Sequence, residues 1–327
     1  MRSSLAARRP ALTPSGADPS IATGARLGSD GDDAAAAPDG RPLYLPVTLP
    51  GERAQPGPSS LDIHKLGGAS VSIQPRVVVV TGAARGMGQA QCVELASRGY
   101  HVCAADCLPV EDTVQSVRNA GGSASGHDLD VGLEASWQAL IECGLHQFGR
   151  PYGLVNNAGI NDRASIAAET MEGWSRVLAV NLTGPFLGIR VLAPVLRSVG
   201  GGAIVNIASS SALTGYRGAA YTASKWGLRG LGKTAAAEFA PWGIRVNTIN
   251  PGLIDTPMGQ GDPAFIASHL RRVPMARAGN AREVSAVVAF LLSDEASYVT
   301  GADLSVDGGF ISSGNFWRIV ADSDAFA

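Results

Sequence analysis

Four β-branched residues, Val77-Val78-Val79-Val80, pass directly into Thr81-Gly82-Ala83-Ala84-Arg85-Gly86-Met87-Gly88. This join constrains the fold more than any other stretch of the chain. An unbroken valine run suits a strand buried on both faces, as in a parallel sheet covered by helices on each side. Residues Gln89 to Arg98 then read as a helix. Strand, glycine loop and helix N-terminus together form a site for a pyrophosphate. Gly82 permits the turn, and Gly86 and Gly88 let backbone approach the phosphates, with Arg85 and Met87 in the same loop.

The order of segments extends this reading. Strands are expected at His101–Ala105, in a weak stretch ending at Asp128–Val131, at Gly153–Gly159 with a polar turn at its end, and at Ala203–Ile207, Ile244–Ile249 and Asp303–Val306. Helices are expected between them, including Glu111–Ala120, Leu133–Phe148, Ala219–Phe239, Ala281–Ser293 and a long segment from Thr170 to Val199 broken at Gly184-Pro185. Alternating strands and helices predict a single α/β domain, a doubly wound parallel sheet with helices on both faces and ligands at the carboxyl ends of its strands. Asp106 ends the second strand, where a carboxylate accepts both adenosine ribose hydroxyls and repels a 2′-phosphate. NAD is therefore expected over NADP. Arg85 pulls the other way, but Asp106 sits at the ribose and decides.

Tyr221 and Lys225 are four residues apart on the helix Ala219–Phe239, so their side chains share a face. A free Tyr loses its proton near pH of about 10. A neighbouring cation favours the phenolate and brings that value toward neutrality, which makes the pair an acid/base unit.

The formal charge of −2 over 327 residues, with no basic stripe, excludes nucleic acid or an anionic membrane as main partner. No apolar run reaches the roughly 20 residues of a membrane span. Cys92, Cys103, Cys107 and Cys143 lack CxxC spacing and fall where a core is expected, which suits free thiols in a reducing cytoplasm. The five histidines lack ligand spacing, so no metal site is expected. Residues 1–72 are rich in Pro, Gly, Ala, Ser and Asp. They are expected to form a disordered extension dispensable for folding, apart from a short extended piece at Leu43–Val47. Arg8-Arg9 is followed by no apolar segment and does not form a twin-arginine export signal, and the Arg- and Ser-containing start is only faintly like a transit peptide.

From about Arg76 to Phe310 the chain resembles the short-chain dehydrogenases/reductases in their compact Rossmann-like form. The resemblance rests on Thr81-Gly82-x-x-x-Gly86-x-Gly88, Asp130-Val131, Asn156-Asn157-Ala158-Gly159, Asn181, Ser209, Tyr221-x-x-x-Lys225, Pro251-Gly252-x-x-x-Thr256 and Val306-Asp307-Gly308-Gly309. It implies a dehydrogenase domain over 73–310, interconverting a secondary alcohol and a ketone. Tyr221 would be the proton donor and acceptor, and Lys225 would lower its pKa and hold the nicotinamide ribose. Ser209 would donate to the substrate oxygen, and Asn181 would hold a water linking Lys225 to solvent. Asp130 and Val131 would contact adenine. Asn157, Ala158 and Gly159 would contact the adenosine ribose, and Pro251, Gly252, Ile254 and Thr256 the nicotinamide end. Ser209 lies about one residue closer to Tyr221 than is usual in the family. Counting back from Tyr221 reaches Ala208, whereas counting from the strand end selects Ser209, with Ser210 in reserve.

The substrate pocket is expected between Asn161, Ser211, Tyr216 and the segment 253–278, whose Gly259-Gln260-Gly261 and Pro263 suggest a mobile lid. Met258, Phe265, Ile266 and Leu270 would make it apolar, favouring a hydrophobic or alicyclic alcohol. Alternatives are a 3-oxoacyl-carrier-protein reductase-type enzyme and a non-catalytic dinucleotide-binding sensor. The segment 170–199 and the Tyr221 helix are apolar around much of their circumference. With the family's habit of pairing these helices, that implies a homodimer or homotetramer. The tail 311–327, with Phe316, Trp317 and Ile319, is expected at a subunit contact.

Overall fold

Among residues 74–323, which the computed structural model describes, β1 (Arg76–Thr81) is an interior strand, third across a seven-stranded sheet. Its valines divide by turns. Val78 and Val80 pack with Cys92 and Leu95 of α1 (Gly86–Ser97) and Val284, Val288 and Leu292 of α8 (Ala281–Leu292). Val77 and Val79 pack on the other face with Trp137 of α3 (Glu134–Glu142), Leu192 and Leu196 of α5 (Gly184–Ser198) and Phe239 of α6 (Ala219–Phe239). All four valines are at most 1% exposed. Each such burial stabilises the fold by roughly 1.5–3 kcal/mol, and the sheet acquires a core on each side. The expectations for residues 1–72 and for the end of the tail beyond 323 lie outside the described residues.

The remaining strands are β2 (His101–Asp106), β3 (Ser123–Asp128), β4 (Arg150–Asn156), β5 (Gly202–Ile207), β6 (Ile244–Pro251) and β7 (Asp303–Val306), in the order β3-β2-β1-β4-β5-β6-β7. All pairs are parallel. The order reverses between β1 and β4. That leaves a crevice at their carboxyl ends, where an open α/β sheet takes its ligand. The other helices are α2 (Glu111–Asn119), α4 (Met171–Leu178), α7 (Pro263–Leu270) and α9 (Phe310–Ser323).

The structure differs from the sequence reading in several places. The long segment is disturbed at a π-type turn, Ala179–Thr183, ahead of Gly184-Pro185. Pro185 has no N–H to give the carbonyl four residues back, and the wider turn absorbs the mismatch. By length and composition the continuous stretch Met171–Ser198 is apolar enough to cross a membrane, a feature that a search for unbroken apolar runs passes over. Half of its most apolar window is buried inside the domain. Cys92 and Cys103 are core residues, but Cys107 and Cys143 are exposed, because they follow the ends of β2 and α3 rather than lying within them.

Two helices are new relative to the sequence reading. In α7, Asp262 caps the N-terminus by accepting from Ala264 N–H and Pro263 occupies the first turn. In α9, Phe310 stacks on His269 of the same chain at 4.4 Å, so the tail begins by packing on its own subunit. Beyond that turn Phe316, Trp317 and Ile319 are exposed.

Candidate active site

The glycine loop is shaped by contacts that leave no room for side chains. Gly82 and Gly86 adopt left-handed φ values of +64° and +61°, which glycine alone takes without strain. A Cβ on Gly88 would sit 2.0 Å from the Gly82 carbonyl oxygen. Asn157 locks the loop from β4: its Nδ2 donates to the carbonyls of Thr81 at 2.9 Å and Gly82 at 3.2 Å. Gln91 Nε2 donates to Asn157 Oδ1, and Thr81 Oγ1 accepts from the N–H groups of Asn157 and Ala158. The Asn157 side chain thus holds the loop, and the ribose contact the resemblance implied would have to come from its backbone.

A cleft of about 530 Å³ runs from this loop past Asp106, Asp130 and Val131 to Gly159, Tyr221 and Lys225. Arg85, Met87, Ala158 and Thr256 also line it. It fits a dinucleotide chemically. The first turn of α1 has neither an acidic residue nor a side-chain cap, so its N–H groups are left for an anion. Asp106 Oδ2 accepts from Ala84 N–H at 2.9 Å and Oδ1 from Leu108 N–H at 3.0 Å. These bonds fix the carboxylate at the end of β2 and leave lone pairs for ribose hydroxyls. Asp130 is held likewise, accepting from Gly132 N–H at 2.9 Å.

Lys225 is buried, and its Nζ donates to the Ile207 carbonyl at 2.9 Å. Burial lowers its pKa from 10.5 to about 8. Asn181 lies fully buried in the π-type turn. Its Nδ2 donates to the Ile160 carbonyl and to Ser224 Oγ, and its Oδ1 accepts from Ile160 N–H at 2.8 Å. It therefore clamps the turn after β4, with one lone pair remaining for the solvent link expected of it. A Cβ at Gly159 would lie 3.4 Å from both Asn181 Oδ1 and Lys225 Nζ, so both groups border the space that this glycine leaves open.

Tyr221 corrects one expectation. Burial pushes the phenol above its usual pKa, a hydrogen bond with Ser209 draws it back, and Tyr216 adds a smaller rise. Lys225 Nζ is 5.8 Å from the Tyr221 ring centre and is spent on Ile207, so in this geometry desolvation outweighs the cation. Ser209 also caps the turn Ser210–Ala212 by accepting from Ser211 N–H. Of the serines after β5, Ser209 is the one that lowers the Tyr221 pKa, and both line the same cavity.

A second cavity of about 210 Å³ opens beside Tyr221 and Ser209. Asn161, Ser211, Tyr216 and Met258 line it, as do Pro251, Gly252 and Ile254. Tyr221, Thr256 and Met258 border both spaces. Phe265 faces the cavity, but Ile266 and Leu270 do not line it. Arg163, His269 and Phe310 do; His269 falls inside the expected segment 253–278 without having been singled out, Phe310 was expected at a subunit contact, and Arg163 was not anticipated from sequence. Phe265 and His269 share a face of α7 at i, i+4, a signal hidden once the segment is read as loop. Arg163 has a left-handed backbone, φ +59°, uncommon for a residue with a Cβ. Its Nη2 donates to the carbonyls of Met258 at 3.0 Å and Gln260 at 2.8 Å, tying the loop after β4 to the lid.

Fold and site define a dinucleotide-binding oxidoreductase with a half-buried tyrosine beside a buried lysine. Residues 82–311 match the family model described as enoyl-(acyl carrier protein) reductase. The chain is 37% identical over 252 residues to trans-4-hydroxycyclohexanecarboxylate dehydrogenase of Sinomonas cyclohexanicum, covering 74% of this chain and 95% of that one. It is 40% identical over 238 residues to 3-alpha-(or 20-beta)-hydroxysteroid dehydrogenase of Mycobacterium tuberculosis, covering 72% and 90%. A solved structure of a 2-deoxy-D-gluconate 3-dehydrogenase-type protein from Agrobacterium tumefaciens, with bound NADP, is similar at a TM-score of 0.69 and 36% identity, covering 74% of this chain and 98% of that one. The chain belongs to the short-chain dehydrogenase/reductase family. Its chemistry is alcohol–ketone oxidoreduction with a nicotinamide dinucleotide.

Proposed function

We propose that the protein is an NAD(H)-dependent dehydrogenase that interconverts a ring secondary alcohol and its ketone. The observation that carries this reading is the position of Tyr221, on the wall shared by the dinucleotide cleft and the smaller cavity. A nicotinamide dinucleotide in the cleft supplies the hydride or takes it up. Tyr221 gives its phenolic proton to the substrate oxygen in reduction and receives it in oxidation. Its raised pKa keeps the proton in place until charge develops on that oxygen, and Ser209 donates a second hydrogen bond to the same atom. Lys225 would hold the nicotinamide ribose, and Asn181 positions Lys225 through the Gly159 turn.

NAD is favoured because a 2′-phosphate would place close to two negative charges beside the fixed Asp106 carboxylate. Cyclohexanol with NAD is expected to yield NADH, with NADP used less well by about tenfold or more. Asp106→Ser should narrow or reverse that ratio, measured as kcat/KM for each dinucleotide. Equal use of both by the parent protein would give the decision to Arg85. Absence of NADH from every ring alcohol tried would overturn the reaction itself.

Self-association is part of the same proposal. Phe186 of α5 and Trp226 of α6 are exposed, 44% and 49%, on the two helices the family pairs between subunits, and a dimer or tetramer would cover them. The exposed apolar residues of α9 would pack at a further contact. Sedimentation at micromolar concentration tests this, and a monomer would refute it.

A further inference from the structure

The smaller cavity is walled mostly by apolar and neutral groups. Its one permanent charge is Arg163, and no Asp or Glu lines it. Among the described residues Arg163 forms no ion pair. Asp162, its chain neighbour, turns Oδ1 to Ala164 N–H and forms no ion pair with it, and Asp262, beside the lid residues, accepts through Oδ1 from Ala264 N–H. Its hydrogen bonds to the lid use Nη2 alone, so Nη1 and Nε make none within the described residues. Gly261 leaves room on that side, since a Cβ there would lie 2.8 Å from Nη1. The side chain is exposed, which places the cation at the cavity mouth. A guanidinium presents paired N–H donors that match a carboxylate and cannot lose its charge. The cavity, about 210 Å³, is little larger than the roughly 150 Å³ space that holds a benzene ring. One six-membered ring with a compact substituent fills it.

We propose that Arg163 recognises a carboxylate on the substrate, so that the enzyme takes a ring alcohol or ring ketone bearing a carboxylate remote from the reacting carbon. The proposal rests on the alcohol–ketone reading of the same site. It also gives the lid contact a purpose: the guanidinium that meets the anion is the one that ties down Met258 and Gln260, so substrate binding and lid position share one side chain.

The test uses trans-4-hydroxycyclohexanecarboxylate and its uncharged isostere, trans-4-hydroxycyclohexanecarboxamide, with NAD and the full-length protein. The parent is expected to favour the carboxylate by about tenfold or more in kcat/KM, with the preference shrinking as salt rises. Arg163→Gln should collapse that ratio toward one, and Arg163→Lys should recover part of it. Equal losses for both substrates in Arg163→Gln would reduce Arg163 to a lid tie and overturn the proposal, as would a parent that shows no preference. Calorimetric binding of 4-oxocyclohexanecarboxylate to the parent and to Arg163→Gln separates this outcome from the reaction itself. If the acid binds through Arg163 without turnover, the proposal stands and the reaction assignment falls. If cyclohexanol is oxidised and the acid is not preferred, the reverse holds. If the acid binds neither protein, the proposal falls.

Discussion

Tyr221→Phe is expected to cut turnover by about 10²–10⁴-fold while dinucleotide affinity stays close to that of the parent. The substitution removes one hydroxyl from the wall between cleft and cavity and leaves the ring, with its edge contact to Tyr216 at 6.1 Å, in place. The ring also remains as a packing surface in α6, so the melting temperature should move little. Steady-state rates with a ring alcohol and a fluorescence titration with NADH measure the two halves of this expectation. Turnover near the parent level would show that the transferred proton comes from elsewhere. Loss of NADH binding in parallel would make Tyr221 a cofactor ligand first.

Gly88→Ala should act on the fold as well as the site. The added methyl would lie 2.0 Å from the Gly82 oxygen and 2.7 Å from its carbonyl carbon. Both are backbone atoms pinned by Asn157, so the strain has no flexible side chain to absorb it. Such overpacking destabilises by about 1–3 kcal/mol or more, a fall of roughly 2–12 °C in Tm for a domain of this size. The loop must also move from the position in which it would cradle phosphates, so NADH affinity should drop sharply. Differential scanning calorimetry and the same titration decide the matter. A variant that melts and binds like the parent would mean that the loop has slack not visible in its contacts.

Much of the fold was legible because its signals are local. The valine run, the glycine loop and the i, i+4 pair Tyr221–Lys225 each fix a short piece of geometry, and their order along the chain implies the sheet. The choice of Ser209 rests on a signal of the same kind: the end of β5 fixes its place, whereas the loop leading to Tyr221 varies in length. What escaped was tertiary. Pro263 and the nearby glycines read as loop, although Asp262 and Pro263 start α7 with an ordinary cap and first-turn proline. The site of the helix distortion follows from a hydrogen bond that Pro185 cannot make, which places the strain one turn earlier than the proline itself. The protonation of Tyr221 depends on how deeply the ring is desolvated and on where Lys225 spends its hydrogen bond, and neither can be read from spacing. Arg163 was invisible because its role depends on carbonyls almost a hundred residues further along the chain, a separation of 95 to Met258.

The pairing of β1 with β4 has a kinetic meaning. Thr81 and Asn157, which together shape the phosphate loop, are 76 residues apart, and β2 and β3 with their helices lie between them. Closing so long a loop costs entropy before any contact compensates for it, and parallel strands joined this way assemble slowly. Helices such as α1 and α6 can flicker into being on their own, but a cleft cannot, because its two walls come from opposite ends of that loop. A partly made or partly unfolded chain therefore has helix without affinity, and dinucleotide binding reports on the finished sheet.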